Sequence, residues 1–191
     1  MNLGSVKAVD AHYETHFGAE PEYWKFDNRP GTIGVLEWPS GTSRHRFHLY
    51  ATVGLHALVP APLNHGHGFE LYTCVSTGNE TFRAAFAMMA NDLISSGTFL
   101  EPGHLVTPSN SRVLNGLPFR SWLMLERTDD FIPPLQLDNG HHVVFLDATP
   151  VFAEEARRVR EHGLEGLLDL WDEDPPILSD LNRSLPGPLE V

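Results

Sequence analysis

Two alternating segments joined by a short loop constrain this chain's fold more than anything else in it. Over residues 46–56, Phe47, Leu49, Ala51, Val53 and Leu55 share one face, while Arg46, His48, Tyr50, Thr52 and His56 share the other. That is the period of a β-strand. Residues 59–68 contain two prolines and two glycines and read as a loop. Phe69, Leu71, Thr73 and Val75 then alternate with Glu70, Tyr72, Cys74 and Ser76, giving a second strand. The two are expected to pair antiparallel. Their apolar sets would face a core, and their polar sets would face solvent or a partner.

The remaining pattern supplies helices to cover such a sheet. Val9, Tyr13 and Phe17 recur every fourth residue and predict a helix over residues 6–17. Phe82, Phe86, Met89 and Leu93 form one stripe of a second helix, with Thr77 and Glu80 as its capping box and Gly97 near its stop. A third helix is expected after Thr149 as N-cap and Pro150 as first residue, with Phe152, Ala156 and Val159 inward and Glu154 paired to Arg158. Gly163 should end it, and Leu164, Leu167, Leu168 and Trp171 predict another short helix before a small final segment, residues 177–185. Further strands are predicted over residues 33–38, 121–127 and 142–148. The last is apolar on both faces and therefore central. Residues 28–31 read as a turn, and residues 103–120 as an irregular connection. Strands in a run, then helices, predict an α+β fold: a mixed, mainly antiparallel sheet flanked by helices, in a single domain over residues 1–191.

Charge and cysteine usage exclude several classes of function. The net charge is −12, from 25 acids against 13 bases, and residues 147–191 alone carry 11 acids and 4 arginines. Such a chain repels nucleic acid and anionic membranes and suits a neutral or basic partner. One cysteine, Cys74, permits no internal disulfide, and the first residues lack a signal peptide's apolar run. A soluble cytoplasmic protein is expected.

The stretch N-H-G-H-G-F-E-L-Y-T-C, residues 64–74, carries the most chemistry per residue. His65 and His67 are two apart, and Glu70 follows, which raises a metal-dependent hydrolase as one reading. No third ligand has a predictable position, and neither H-E-x-x-H nor C-x-x-C occurs. His141 and His142 are adjacent and point to opposite faces of a strand, so they make no chelating pair. Cys74 reads as an inert thiol on a strand face. G-x-S-x-G, P-loop and dinucleotide signatures are missing, and Glu101, Asp129 and Asp130 have no partner at a set distance. A non-enzymatic binding function, with no cofactor, is reached by elimination. His56, His65, His67 and Glu70 are the residues expected to meet the partner.

Several stretches in order resemble the suppressor of fused family. They are F-H-L-Y-A-T-V-G-L-H (47–56), G-F-E-L (68–71), a long helix leading to the segment 97–104, the strand 143–148, a helix beginning E-E (154–155), H-G-L-E-G-L-L-D-L (162–170) and D-L-N-R (180–183). The resemblance spans roughly residues 10–185 and implies the family's N-terminal-type domain, a mixed sheet flanked by helices. It also implies a protein partner and no catalysis. Animal members bind a transcription factor of the Hedgehog pathway and carry a second lobe for which 191 residues leave no room. Stand-alone bacterial members resemble immunity proteins that neutralise a cognate toxin of a polymorphic toxin system, which implies a partner such as a basic toxin domain. A regulatory adaptor for an endogenous protein is the alternative. Where animal members place an aromatic residue and an acid for peptide binding, this chain has Val59 and the stretch P-A-P-L-N-H (60–65), so no binding residue carries over.

Overall fold

The computed structural model of the chain describes residues 3–27, 31–62, 65–127 and 131–183. Helix α1 (Leu3–Phe17) leads into β1 (Glu22–Asp27), β2 (Thr32–Trp38) and β3 (His48–Val53). A one-turn helix α2 (Leu55–Leu58) precedes β4 (His67–Val75) and the long helix α3 (Glu80–Ser96). Then come β5 (Leu105–Val106), a short 3-10 helix (Ser111–Leu114), β6 (Ser121–Leu125), β7 (Leu135–Gln136), β8 (His142–Val151) and α4 (Ala153–Glu173). The strands form one sheet in the order β1-β2-β3-β4-β8-β6-β5, with β7 beside the first residues of β8. All pairings are antiparallel except β4 with β8, where His67 lies opposite His142 and Tyr72 opposite Asp147. This is the expected α+β architecture, and β8 takes its expected central place.

Helices cover both faces. On one, Phe82, Phe86, Met89 and Leu93 of α3 pack with Tyr50, Phe69, Leu71, Trp122 and Leu146. On the other, Val9, Tyr13 and Phe17 of α1 meet Leu36, Trp38, Leu49, Tyr72 and Phe145. Further along that face, Ala156, Val159, Leu167 and Trp171 of α4 pack on Leu123 and Val151. The alternation of β3 therefore does not divide core from solvent: Tyr50 and Thr52 are as buried as Leu49 and Ala51. Phe47, expected in the core, precedes the strand and is exposed.

Gly54, at φ 102°, ends β3 and turns Leu55 and His56 into α2. The strand expected over 46–56 thus ends earlier than its alternation suggested. The cap of α3 is Asn79, whose side chain accepts from Phe82 N at 2.9 Å, rather than Thr77. Gly97, at φ 66°, closes that helix as expected. Thr149 and Pro150 do not open α4. They continue β8, opposite Leu123 and Trp122, and Glu155 caps the helix by accepting from Phe152 N at 2.8 Å. Gly163, at φ 74°, breaks α4 into two helical stretches near the expected point. Arg158 bonds Gly166 O at 3.0 Å instead of Glu154, and the pair four apart is Arg157–Glu161 at 3.0 Å. β1, β5 and β7 are strands that no period in the sequence marks. Asn28, Pro30, Asp129, Asp130 and Leu185 lie outside the described residues. Among the described residues no helix is long and apolar enough to cross a membrane.

Candidate functional site

The residue that organises the site is Glu70, fully buried on β4. Its Oε1 accepts from Gly54 N at 2.9 Å, His56 N at 3.1 Å and His56 Nδ1 at 2.6 Å. Its Oε2 accepts from Thr52 Oγ1 at 2.6 Å, and Thr52 Oγ1 in turn accepts from Leu71 N at 2.9 Å. One carboxylate therefore gathers the backbone amides freed where β3 breaks into α2, the orphan donors every helix start leaves. The other ring nitrogen, His56 Nε2, lies 3.0 Å from Ser5 Oγ on α1. Burial first, and then the Glu70 charge, pushes the Tyr13 phenol well above its ordinary pKa.

Gly68 explains how α2 can lie so close to β4. A Cβ there would stand 2.9 Å from His56 Cβ and 3.2 Å from His56 O. Gly68 is thus a residue of close approach inside a strand, not part of a turn.

Above this buried network lies a groove of about 470 Å³. His56, His65, His67, His141 and His142 line it, together with Val59, Pro60 and Asn139. The structure therefore brings His56, His65 and His67 to one groove and places Glu70 beneath it, with all its oxygens engaged. His141 and His142, set aside in the sequence, complete the wall because β8 runs parallel to β4. No periodicity in a single segment could reveal that pairing.

The donor set of the hydrolase reading does not assemble. His67 and Glu70 are three apart on one strand, so they point to opposite faces. His65 and His67 pack on Phe99, with ring centroids 5.2 and 5.6 Å away, and His65 Nδ1 lies 3.7 Å from Glu101 Oε1. Among the described residues no group of three His, Cys, Asp or Glu side chains is placed to hold a metal ion. Cys74 is half-buried against the α1 side of the core.

A second buried carboxylate, Glu37, sits nearer the sheet edge. Arg83 Nη1 donates to its Oε2 at 2.7 Å, and His48 Nε2 lies 2.7 Å from its Oε1. Burial raises its pKa, but the hydrogen bonds from Arg83 and His48 outweigh that and hold it below the ordinary carboxylate value. A depressed folded pKa contributes stability that is full above the unfolded value and is lost as pH falls through the folded one. Glu37→Gln is therefore expected to flatten the acid limb of the stability–pH curve below about pH 4.5. Denaturant midpoints measured across that range check it, and an unchanged acid limb would show that other groups set it.

The fold and groove define an α+β domain with a mixed sheet between helices and a histidine-lined cleft at one sheet end. The chain belongs to the suppressor of fused protein family, whose model matches residues 29–184. A suppressor of fused homolog from Neisseria gonorrhoeae FA 1090 superposes with a TM-score of 0.71 at 17% identity, covering 97% of this chain and 98% of its own. A chain of the Sufu–Fu complex gives 0.66 at 12% identity, covering 94% and 91%. Drosophila Suppressor of Fused gives 0.63 at 11% identity; 96% of this chain matches 50% of that one. No curated protein matches the chain by sequence.

Proposed function

We propose that this chain is a non-enzymatic protein-binding domain, a single unit over residues 1–191. It would act in the cytoplasm of a bacterium as an immunity protein that neutralises a cognate toxin of a polymorphic toxin system. The observation that carries the binding reading is the histidine-lined groove, in which Glu70 fixes His56, in a chain whose family includes a member described in the Sufu–Fu complex. The bacterial setting is supported by the Neisseria homolog, which matches nearly end to end. A net charge of −12 favours a basic toxin domain and would steer its approach. His56, His65 and His67 are the contact residues of this reading; Glu70 fixes His56, and Phe99 supports His65 and His67.

The test is to look for a toxin-like gene beside this one and to co-express the pair; a neighbourhood without such a gene counts against the reading. Rescue of growth supports the reading, and failure to rescue with both proteins present sinks it. The association rate with that toxin is expected to fall by about tenfold or more between low and physiological salt. His65→Ala should weaken the complex by about tenfold with an unchanged melting temperature. Biolayer interferometry reads both. An endogenous partner recovered instead, with no toxin binding, would mark a regulatory adaptor.

A further inference from the structure

Among the described residues β1 closes one end of the sheet and pairs with β2 on one side only. Glu22, Tyr23, Trp24, Lys25 and Asp27 are exposed and Phe26 is half-buried. Four large hydrophobic side chains are exposed among the described residues, and two of them, Tyr23 at 45% and Trp24 at 37%, are neighbours on this strand. Trp24 is held in place. The Arg83 guanidinium lies 3.6 Å from its ring centroid, and Glu37 anchors Arg83 at 2.7 Å. Lys25 Nζ stands 5.8 Å from the Tyr23 ring. An open edge is a template for another strand, and Trp, Tyr and Arg are the residues that carry most interface energy.

We propose that β1 pairs antiparallel with β1 of a second copy of this chain, across a twofold axis at Trp24, so that two sheets become one. The register follows from geometry. Residues directly opposite in an antiparallel pair must turn their amides and carbonyls the same way. A strand pairing with itself can therefore be centred only on a residue. Centring on Lys25 sets two ammonium groups face to face, which is destabilising. Centring on Tyr23 sets Glu22 against Trp24 and moves Lys25 opposite Pro21, beyond the strand. Centring on Trp24 sets each Lys25 against the other copy's Tyr23, a cation–π pair made twice, and brings two indoles together at the axis. The strand complements itself in this register.

β2 and β3 separate this edge from β4, so the groove stays open in the dimer and the proposal does not depend on the partner reading. The salt dependence also separates them. Two copies at −12 repel, so salt should strengthen this association while it slows capture of a basic partner.

Sedimentation velocity of the full chain over a concentration series, at two ionic strengths, is the experiment. A micromolar monomer–dimer equilibrium that shifts toward dimer with salt is expected. Trp24→Lys and Trp24→Glu should each dimerise at least about tenfold more weakly, because residue 24 faces itself. An equimolar mixture of the two should recover a heterodimer. A wild type that stays monomeric overturns the proposal, as does Trp24→Lys dimerising like the wild type or a mixture that stays monomeric. Should the Trp24 variants fail to fold, wild-type amides over residues 22–27 must gain exchange protection as concentration rises, and no gain overturns the proposal equally.

Discussion

Replacing Arg183 by methionine is expected to destabilise this protein by about 3–5 kcal/mol, the cost of stranding a buried charge. The charge left behind is Glu155, which is 2% exposed. Arg183 Nη2 donates to Glu155 Oε2 at 2.7 Å and to Pro150 O at 2.8 Å, while Nη1 reaches Leu178 O at 3.2 Å. Glu155 also accepts from Phe152 N at 2.8 Å and Trp171 Nε1 at 3.2 Å. The pair therefore ties three pieces together: the end of β8, both stretches of α4, and the segment 177–183 that crosses them. Glu155→Gln with Arg183→Met should cost clearly less than the sum of the singles, because no charge is then left unpaired. Urea denaturation of the two singles and the double checks this. Full additivity would mean the two side chains act independently.

Glu70→Ala is expected to cost a similar amount, about 3–5 kcal/mol, by a different route. It leaves Thr52 Oγ1, Gly54 N, His56 N and the His56 ring without their acceptor in a buried site. Each such donor costs about 1–3 kcal/mol when it cannot reach water, and local opening of α2 relieves part of the total. Amide exchange should therefore accelerate at residues 54–59 beyond the global effect. Partner binding should fall with it, since His56 is no longer fixed in the groove. Glu70→Gln keeps one acceptor and should cost less. Equal exchange rates at 54–59 in wild type and Glu70→Ala would show that the carboxylate does not hold α2.

Much of this fold is legible in the residues, because its helices obey a simple rule. The stripes of α1 and α3 each bury one face on the sheet, and Gly97 and Gly163 mark helix ends through backbone angles few other residues adopt. The strands mislead where the rule changes. Alternation in β3 suggests one wet face, but helices cover both: the Tyr50 hydroxyl reaches Asn79 O at the start of α3, and Thr52 bonds the buried Glu70. β1 has no alternation to read, because an edge strand with both faces largely exposed has no core side to mark. The site is half legible. His56, His65 and His67 stand out by loop and strand chemistry, and the side of the sheet that Glu70 takes follows from its spacing of three from His67. The wall made by His141 and His142 depends on a pairing between distant segments, which no local window contains.

That pairing has a consequence for the order of events at the ribosome. β4 emerges with His67, and its parallel neighbour begins only at His142. At about 5–20 residues per second the first waits on the order of ten seconds for the second. Until then Phe69 and Leu71 have no β8 beside them, and the clamp at Arg183 follows later still. The paired sheet and its clamp are therefore complete only once residue 183 has been made. A nonsense mutation before codon 183 should leave a cell without working protein rather than with a weakened one.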